Sequence, residues 1–168
     1  MPGLADRTVR GQRSWCRPTR ADTRMLGRLS ADNRTAVPCA VVERWRAEGV
    51  IDYLGESDDV RTAMEQADCI VLPSYREGLP RALLEGSAMS KRLIATDVPG
   101  CRDVVEDGRT GYLCAERSVD SLADAMLKMI GISPNERLRM GELGRRKIKQ
   151  EYCETRVIDK YLEALESP

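Results

Sequence analysis

Histidine is missing from all 168 residues of the chain. That excludes imidazole general bases, Ser-His-Asp triads and His-based zinc sites supplied by this chain. Its six cysteines (Cys16, Cys39, Cys69, Cys101, Cys114 and Cys153) form no C-x-x-C pair, and several fall in apolar strand or helix positions. They read as reduced core thiols of a cytosolic protein. No D-x-D carboxylate pair occurs, so the sequence gives no reason to invoke a bridging divalent metal or another cofactor. No apolar run approaches the ~20 residues that span a bilayer, and the N-terminus lacks the apolar core of a signal peptide. The expected location is the cytoplasm. Net charge is missing too: 27 basic and 27 acidic residues cancel, which gives no reason to expect a nucleic-acid partner. There is no internal repeat.

The length suits one domain of ordinary size with a single core. Residues 1–24 stand apart, carrying Arg7, Arg10, Arg13, Arg17, Arg20 and Arg24 against Asp6 and Asp22, without a regular apolar period. From Met25 onward short apolar segments alternate with helical patterns, the signature of a parallel sheet wound with crossover helices. Strands are predicted at 25–29, 50–54, 69–72, 93–96 and 112–114. Helices are predicted at 37–47, 58–67 with Ser57 as cap, 79–89 and 102–106. Thereafter only helices are expected. One starts at Ser118 with Leu122, Ala125, Met126, Met129 and Ile130 on its apolar face. The next starts at Ser133-Pro134-Asn135-Glu136, a capping box with Pro at the first helical position. The last, within 153–168, uses Val157, Ile158, Tyr161, Leu162 and Leu165.

Chemistry concentrates in Glu77-Gly-Leu-Pro-Arg-Ala-Leu-Leu-Glu85, which follows the apolar strand Asp68-Cys-Ile-Val-Leu-Pro-Ser74. Two carboxylates eight positions apart thus straddle a helix start, in a loop at a strand's carboxyl end, where ligands bind in open α/β sheets. A plainer alternative stands beside this: Glu is favoured near a helix start, and Glu85 can pair with Arg81 one turn earlier. The wider context is Leu72 to Glu85, then Ile94-Ala-Thr-Asp-Val-Pro-Gly100 and Asp107-Gly-Arg-Thr-Gly-Tyr112. In that order these motifs resemble the donor-binding half of glycosyltransferase family 4, the retaining GT-B enzymes, over roughly residues 25–165. The resemblance implies an α/β, Rossmann-like parallel sheet with crossover helices, one GT-B half, over 25–152. An amphipathic helix, 153–168, completes it.

The resemblance also implies roles. Glu77 would approach the donor sugar's hydroxyls and the positive charge developing at its ring, and Glu85 would accept hydrogen bonds from the ribose. A carboxylate suits both tasks because it is acceptor-only and can bind two hydroxyls at once. The diphosphate of a nucleotide-sugar, UDP-sugar being the favoured donor, would rest on Gly78, Leu79 and Arg81, whose backbone N–H groups face an anion at the helix start. Gly78 would let the backbone come close. The alternative for Gly78 and Pro80 is ordinary turn-then-helix punctuation. Gly100 would border the site, while Gly108 and Gly111 shape turns. Glu56 and Ser57, in the loop Gly55-Glu-Ser-Asp58, would lie at the nucleobase edge, the alternative being a helix cap with acidic neighbours.

One departure from the family matters. Members carry an Arg and a Lys after the first strand of this half, and these clamp the diphosphate. Gly27-Arg28-Leu29-Ser30 has no such Lys. Segment 25–29 is therefore read as the family's second strand, with the first strand, the clamp and the acceptor-binding N-terminal half absent, as in a truncated member. Residues 1–24 match nothing in the family and read either as an accident of a misassigned start or as a basic arm touching anionic lipid. Expected partners are a nucleotide-sugar and a second half supplying the acceptor site. Exposed apolar faces and an unpaired sheet edge also predict self-association. Three functions compete: a glycosyltransferase donor domain inactive alone in polysaccharide or lipid-linked glycan synthesis, a non-catalytic nucleotide-binding fragment, and an epimerase or phosphorylase. The E-x7-E context argues against the last of these.

Overall fold

The computed structural model describes residues 22–29 and 37–166. The arm at 1–21 and the chain at 30–36 lie outside the described residues, and with them the readings made of Cys16 and of most of the basic arm. Two compact units divide the chain at Asp58 and Asp59.

In the first unit, β1 (Arg24–Met25) pairs in parallel with β2 (Asp52–Tyr53), joined through α1 (Cys39–Ala47). Both strands are shorter than predicted. Gly27 turns the chain out of the ladder with φ +141°, and the Tyr53 hydroxyl donates to the Gly27 carbonyl at 2.8 Å. Val50 is not yet strand, because its N–H still bonds the Trp45 carbonyl at the end of α1 (2.9 Å).

The second unit is a three-stranded parallel sheet of order β3-β4-β5: β3 (Cys69–Leu72), β4 (Arg92–Thr96) and β5 (Gly111–Cys114). Around it lie α2 (Arg61–Gln66), α3 (Arg81–Ala88), α4 (Cys101–Val104), α5 (Val119–Gly131), α6 (Pro134–Glu151) and α7 (Glu154–Glu166). The central strand β4 is covered on both faces, as parallel strands require. Its alternate residues divide the core: Leu93 and Ala95 pack with Leu83, Val104 and Ile148, while Ile94 packs with Cys114, Ala125 and Met129. Helix α5 begins where expected, and the predicted cap of α6 is present. Ser118 Oγ accepts from the Ser121 N–H, and Ser133 and Glu136 form the reciprocal capping box.

Several predictions need correction. The cap of α2 is not Ser57. The helix begins three residues later than expected, and the Asp59 carboxylate accepts from the Arg61 N–H at 3.0 Å while holding the Arg61 guanidinium at 2.8 Å. The helix predicted from Leu79 starts at Arg81, because Pro80, with ψ 105°, is still extended. The helix predicted over 102–106 ends at Val104, since the Glu106 N–H is taken by Thr110 Oγ1 at 2.8 Å. The core-thiol reading holds for Cys101 and Cys114, but Cys39 and Cys153 are exposed. None of the described helices is long and apolar enough to cross a membrane. The apolar stripe of α7 is exposed at Ile158, Tyr161, Leu162 and Leu165.

Candidate functional site

The carboxyl ends of β3 and β4 carry two loops that meet. Residues 73–80 link β3 to α3 and hold half-buried Glu77 and exposed Gly78 and Leu79. Residues 97–100 link β4 to α4 and end at Gly100, which takes φ +81°. A Cβ on Gly100 would fall on the carbonyl oxygen of Gly78 and within 3.0 Å of that of Glu77. Gly100 therefore packs directly against the backbone that carries Glu77 and Gly78.

Gly78 behaves differently. Its φ lies outside the left-handed region, and a Cβ there would meet no described atom within 4 Å. Neither backbone strain nor packing therefore demands glycine at this position.

Helix α3 rises from this loop. Its first backbone bond, from the Leu83 N–H to the Pro80 carbonyl at 3.0 Å, leaves the Arg81 and Ala82 amides at the open end of the helix, where an anion is favoured. One turn on, the carboxylate of half-buried Glu85 accepts from Arg81 Nη2 at 3.2 Å. The ion-pair alternative read from the spacing is thus realised, but an exposed pair of this kind contributes little and yields readily to another donor. Arg61 on α2 also feels the Glu85 charge, behind that of Asp59. Spacing could not reveal this neighbour, because it arrives through the β3 crossover. Asp59 itself, hydrogen bonded by Arg61, is held at about 2.

Glu77 has a neighbour on α4. Burial pushes the Cys101 thiol up to about 11, and the Glu77 carboxylate adds to that rise. Tyr75, two residues before Glu77, lies under Arg117 from the β5–α5 loop, with the guanidinium carbon 5.3 Å from the ring centroid. Neither partner was singled out in the sequence.

Glu56 and Ser57 belong to the first unit, after the carboxyl end of β2. Glu56 is bound by Arg28, whose Nε reaches Oε1 at 2.9 Å and Oε2 at 3.0 Å and whose Nη2 reaches Oε1 at 2.7 Å. That pairing lowers its pKa, chiefly through the hydrogen bond. An open groove of about 560 Å³ lies elsewhere, lined by Lys149, Gln150, Cys153, Thr155, Arg156, Asp159 and Glu163 and by none of the loop residues above. The chemistry-bearing loops, not this groove, define the candidate site.

The family model described as glycosyl transferases group 1 matches residues 25–131. A curated relative from Campylobacter jejuni, N,N'-diacetylbacillosaminyl-diphospho-undecaprenol alpha-1,3-N-acetylgalactosaminyltransferase, is 28% identical over 102 residues, covering 61% of this chain and 26% of that protein. The uncharacterized glycosyltransferase MJ1178 of Methanocaldococcus jannaschii is 36% identical over 110 residues, covering 61% of this chain and 30% of that protein. The chain thus spans less than a third of the length of either relative. Among solved structures, Anabaena Alr3699/HepE in complex with UDP-glucose matches with a TM-score of 0.76 at 18% identity, over 90% of this chain and 42% of that one. Likeness at that identity establishes the fold, that of GT-B glycosyltransferases. Since the family model covers well over half of the sequence, including the whole β3–α3–β4 region, the chain belongs to the group 1 glycosyl transferases.

Proposed function

We propose that this chain is the donor-binding part of a retaining, family 4 glycosyltransferase that takes a UDP-sugar for polysaccharide or lipid-linked glycan synthesis. The observation that carries this reading is Gly78. It stands at an open helix start between two carboxylates, in a conformation any residue adopts and with room for a side chain. The diphosphate occupies that room, on the amides of Leu79, Arg81 and Ala82. Glu85 exchanges its Arg81 contact for the ribose hydroxyls, and Glu77 faces the sugar, stabilising the positive charge that develops at the anomeric carbon as the diphosphate departs. Relatives support the donor class: Alr3699/HepE has been crystallised with UDP and with UDP-glucose. The lipid-linked setting is suggested by the name of the Campylobacter relative.

The second half required for transfer, with its acceptor site and cationic clamp, comes from further chain or from a partner. Removing a single charge-stabilising donor from comparable sites costs on the order of a hundred- to a thousand-fold in rate, so this chain alone has negligible transfer activity. It works in the cytoplasm, peripheral to the inner face of the membrane where lipid-linked acceptors lie, and uses no metal.

Calorimetric titration with UDP, GDP and UDP-sugars, beside a Glu85→Ala variant, tests the reading. Binding of UDP that vanishes in the variant supports it. Absence of binding at millimolar ligand would overturn it and leave a chain that keeps the family's pattern without its function.

A further inference from the structure

Two described non-glycine residues have positive φ, Ser90 at +59° and Arg117 at +56°. The first has a local explanation. Ser90 follows α3, where the Ser90 N–H bonds the Ser87 carbonyl at 2.9 Å and the Lys91 N–H bonds the Gly86 carbonyl at 2.9 Å, the left-handed closure that ends many helices. Arg117 closes no helix. It lies in the short connection from β5 to α5, a position where glycine would sit without strain.

The strained residue is put to use through its side chain. The Arg117 guanidinium covers the ring of Tyr75, 5.3 Å from its centroid, and its Nε lies 3.2 Å from Glu116 Oε1. The connection is held at both ends: the Ala115 N–H donates to Ser121 Oγ at 2.9 Å, and Ser118 Oγ accepts from the Ser121 N–H at 3.2 Å. With this contact in place Tyr75 is still about half exposed (52%). The two loops leave the outer strands of the sheet, β3 and β5, so the Arg117–Tyr75 contact crosses the carboxyl end of β4. There Gly100 supports Gly78 from below. The loop bearing Glu77 is therefore fixed at two points, by backbone packing at Gly78 and by a cation over an aromatic face at Tyr75.

The geometry points to Arg117 as a positioning residue for donor binding. It acts through Tyr75 to hold the 73–80 loop in the form that presents Glu77 and the amides beside Gly78, and so limits the ordering left to be done when the nucleotide binds. This rests on the donor-site reading above. The positive φ lies in the 115–118 connection, whose Arg117 side chain reaches the 73–80 loop, and strained backbone beside a functional loop is the pattern expected when function sets the conformation.

The decisive feature is that stability and affinity move in opposite directions in Arg117→Gly. Relief of the positive φ leaves thermal stability unchanged or raised, whereas loss of the contact weakens UDP binding about tenfold. Tyr75→Leu is expected to weaken binding similarly, and the double variant no further than either single one. Arg117→Lys keeps the charge but loses the planar guanidinium, so it recovers only part of the affinity. If wild type binds UDP, Glu85→Ala does not, and Arg117→Gly binds as wild type, the inference is overturned while the donor-site reading stands. A ligand-free measurement covers failure of that reading: the Glu77 and Gly78 amide resonances are expected to shift or broaden in Arg117→Gly, and unchanged resonances would reject the positioning role.

Discussion

Gly100 and Gly78 meet backbone to backbone across the ends of β4 and β3, close enough that any side chain at Gly100 would overlap the Gly78 carbonyl. The two glycines therefore answer to different demands and should respond differently to alanine. Gly100→Ala combines a left-handed φ with overlap against main chain that cannot rotate away, and is expected to cost about 2–4 kcal/mol. Gly78→Ala has ordinary φ and open space, so unfolding in denaturant should be within about 0.5 kcal/mol of wild type. Its UDP affinity should nevertheless fall about tenfold or more, because the methyl enters the space assigned to the diphosphate. Equal stability and equal UDP affinity in Gly78→Ala would remove the main support for the donor site.

The contrast also shows what the sequence could convey. Strand β3 and the start of α5 are legible because an apolar run and a cap-plus-period pattern are local signals, and the structure reproduces them. The E-x7-E stretch is legible as a candidate site because its two carboxylates share one loop and helix. What Gly100 does was not legible, since its contact is made by a segment more than twenty residues earlier. The same is true of Arg61 beside Glu85 and Arg117 over Tyr75, pairs created by parallel crossovers that place distant loops together. The limits of α2 and α3 were missed for a different reason. Asp59 rather than Ser57 accepts from the Arg61 N–H at the start of α2, and Pro80 is still extended where α3 was expected to have begun.

Asp59 gives a pH test of the start of α2. Arg61 hydrogen bonds hold its carboxyl at about 2, below the ordinary 3.8. A depressed folded value means the stabilisation is present above the unfolded value and is lost as pH falls from about 4 towards 2. Arg61→Gln should raise the Asp59 midpoint, read by carboxyl-carbon NMR, part of the way towards the ordinary range, since the backbone N–H of residue 61 still donates to the carboxylate. It should also reduce the acid sensitivity of α2 in that window. A midpoint near 2 in the variant would show that the guanidinium is not the cause.

Thiol reactivity should sort the cysteines by burial. Burial pushes Cys69 to about 12 and Cys101 to about 11, whereas exposed Cys153 is lowered by hydrogen bonds from the Thr155 amide and hydroxyl. Iodoacetamide labelling near pH 8, read site by site by mass spectrometry, should modify Cys153 first, with Cys69, Cys101 and Cys114 labelled only in denaturant. The raised values also carry a stability consequence. Thiols of the unfolded chain titrate near 9.0, so native stability should decline as pH rises through that value towards 11 or 12. A Cys69→Val variant should decline less.

The sharpest test of the packing lies where α6 crosses α3. Gly144 sits against Ser87, whose hydroxyl is fully buried and has no hydrogen-bond partner among the described residues. A Cβ at Gly144 would lie 2.7 Å from Ser87 Oγ, but 3.8 Å from Thr110 Cβ and 3.9 Å from Ser87 Cβ. Three consequences follow from those distances. Ser87→Ala removes an unsatisfied buried hydroxyl and should be neutral or stabilising by about 1 kcal/mol. Gly144→Ala alone sets a gain in helix propensity of about 1 kcal/mol against a clash with that oxygen, and should be neutral or destabilising. In the double variant the clash is gone and only ordinary contacts remain, so it should exceed wild type by about 1 kcal/mol, with a favourable coupling of similar size between the sites. Gly141→Ala is the control. Its Cβ would meet the Ser90 carbonyl, which is main chain, so Ser87→Ala should not rescue it. Additive effects in the Ser87–Gly144 cycle, measured by urea unfolding, would mean that the hydroxyl does not set the approach of the two helices.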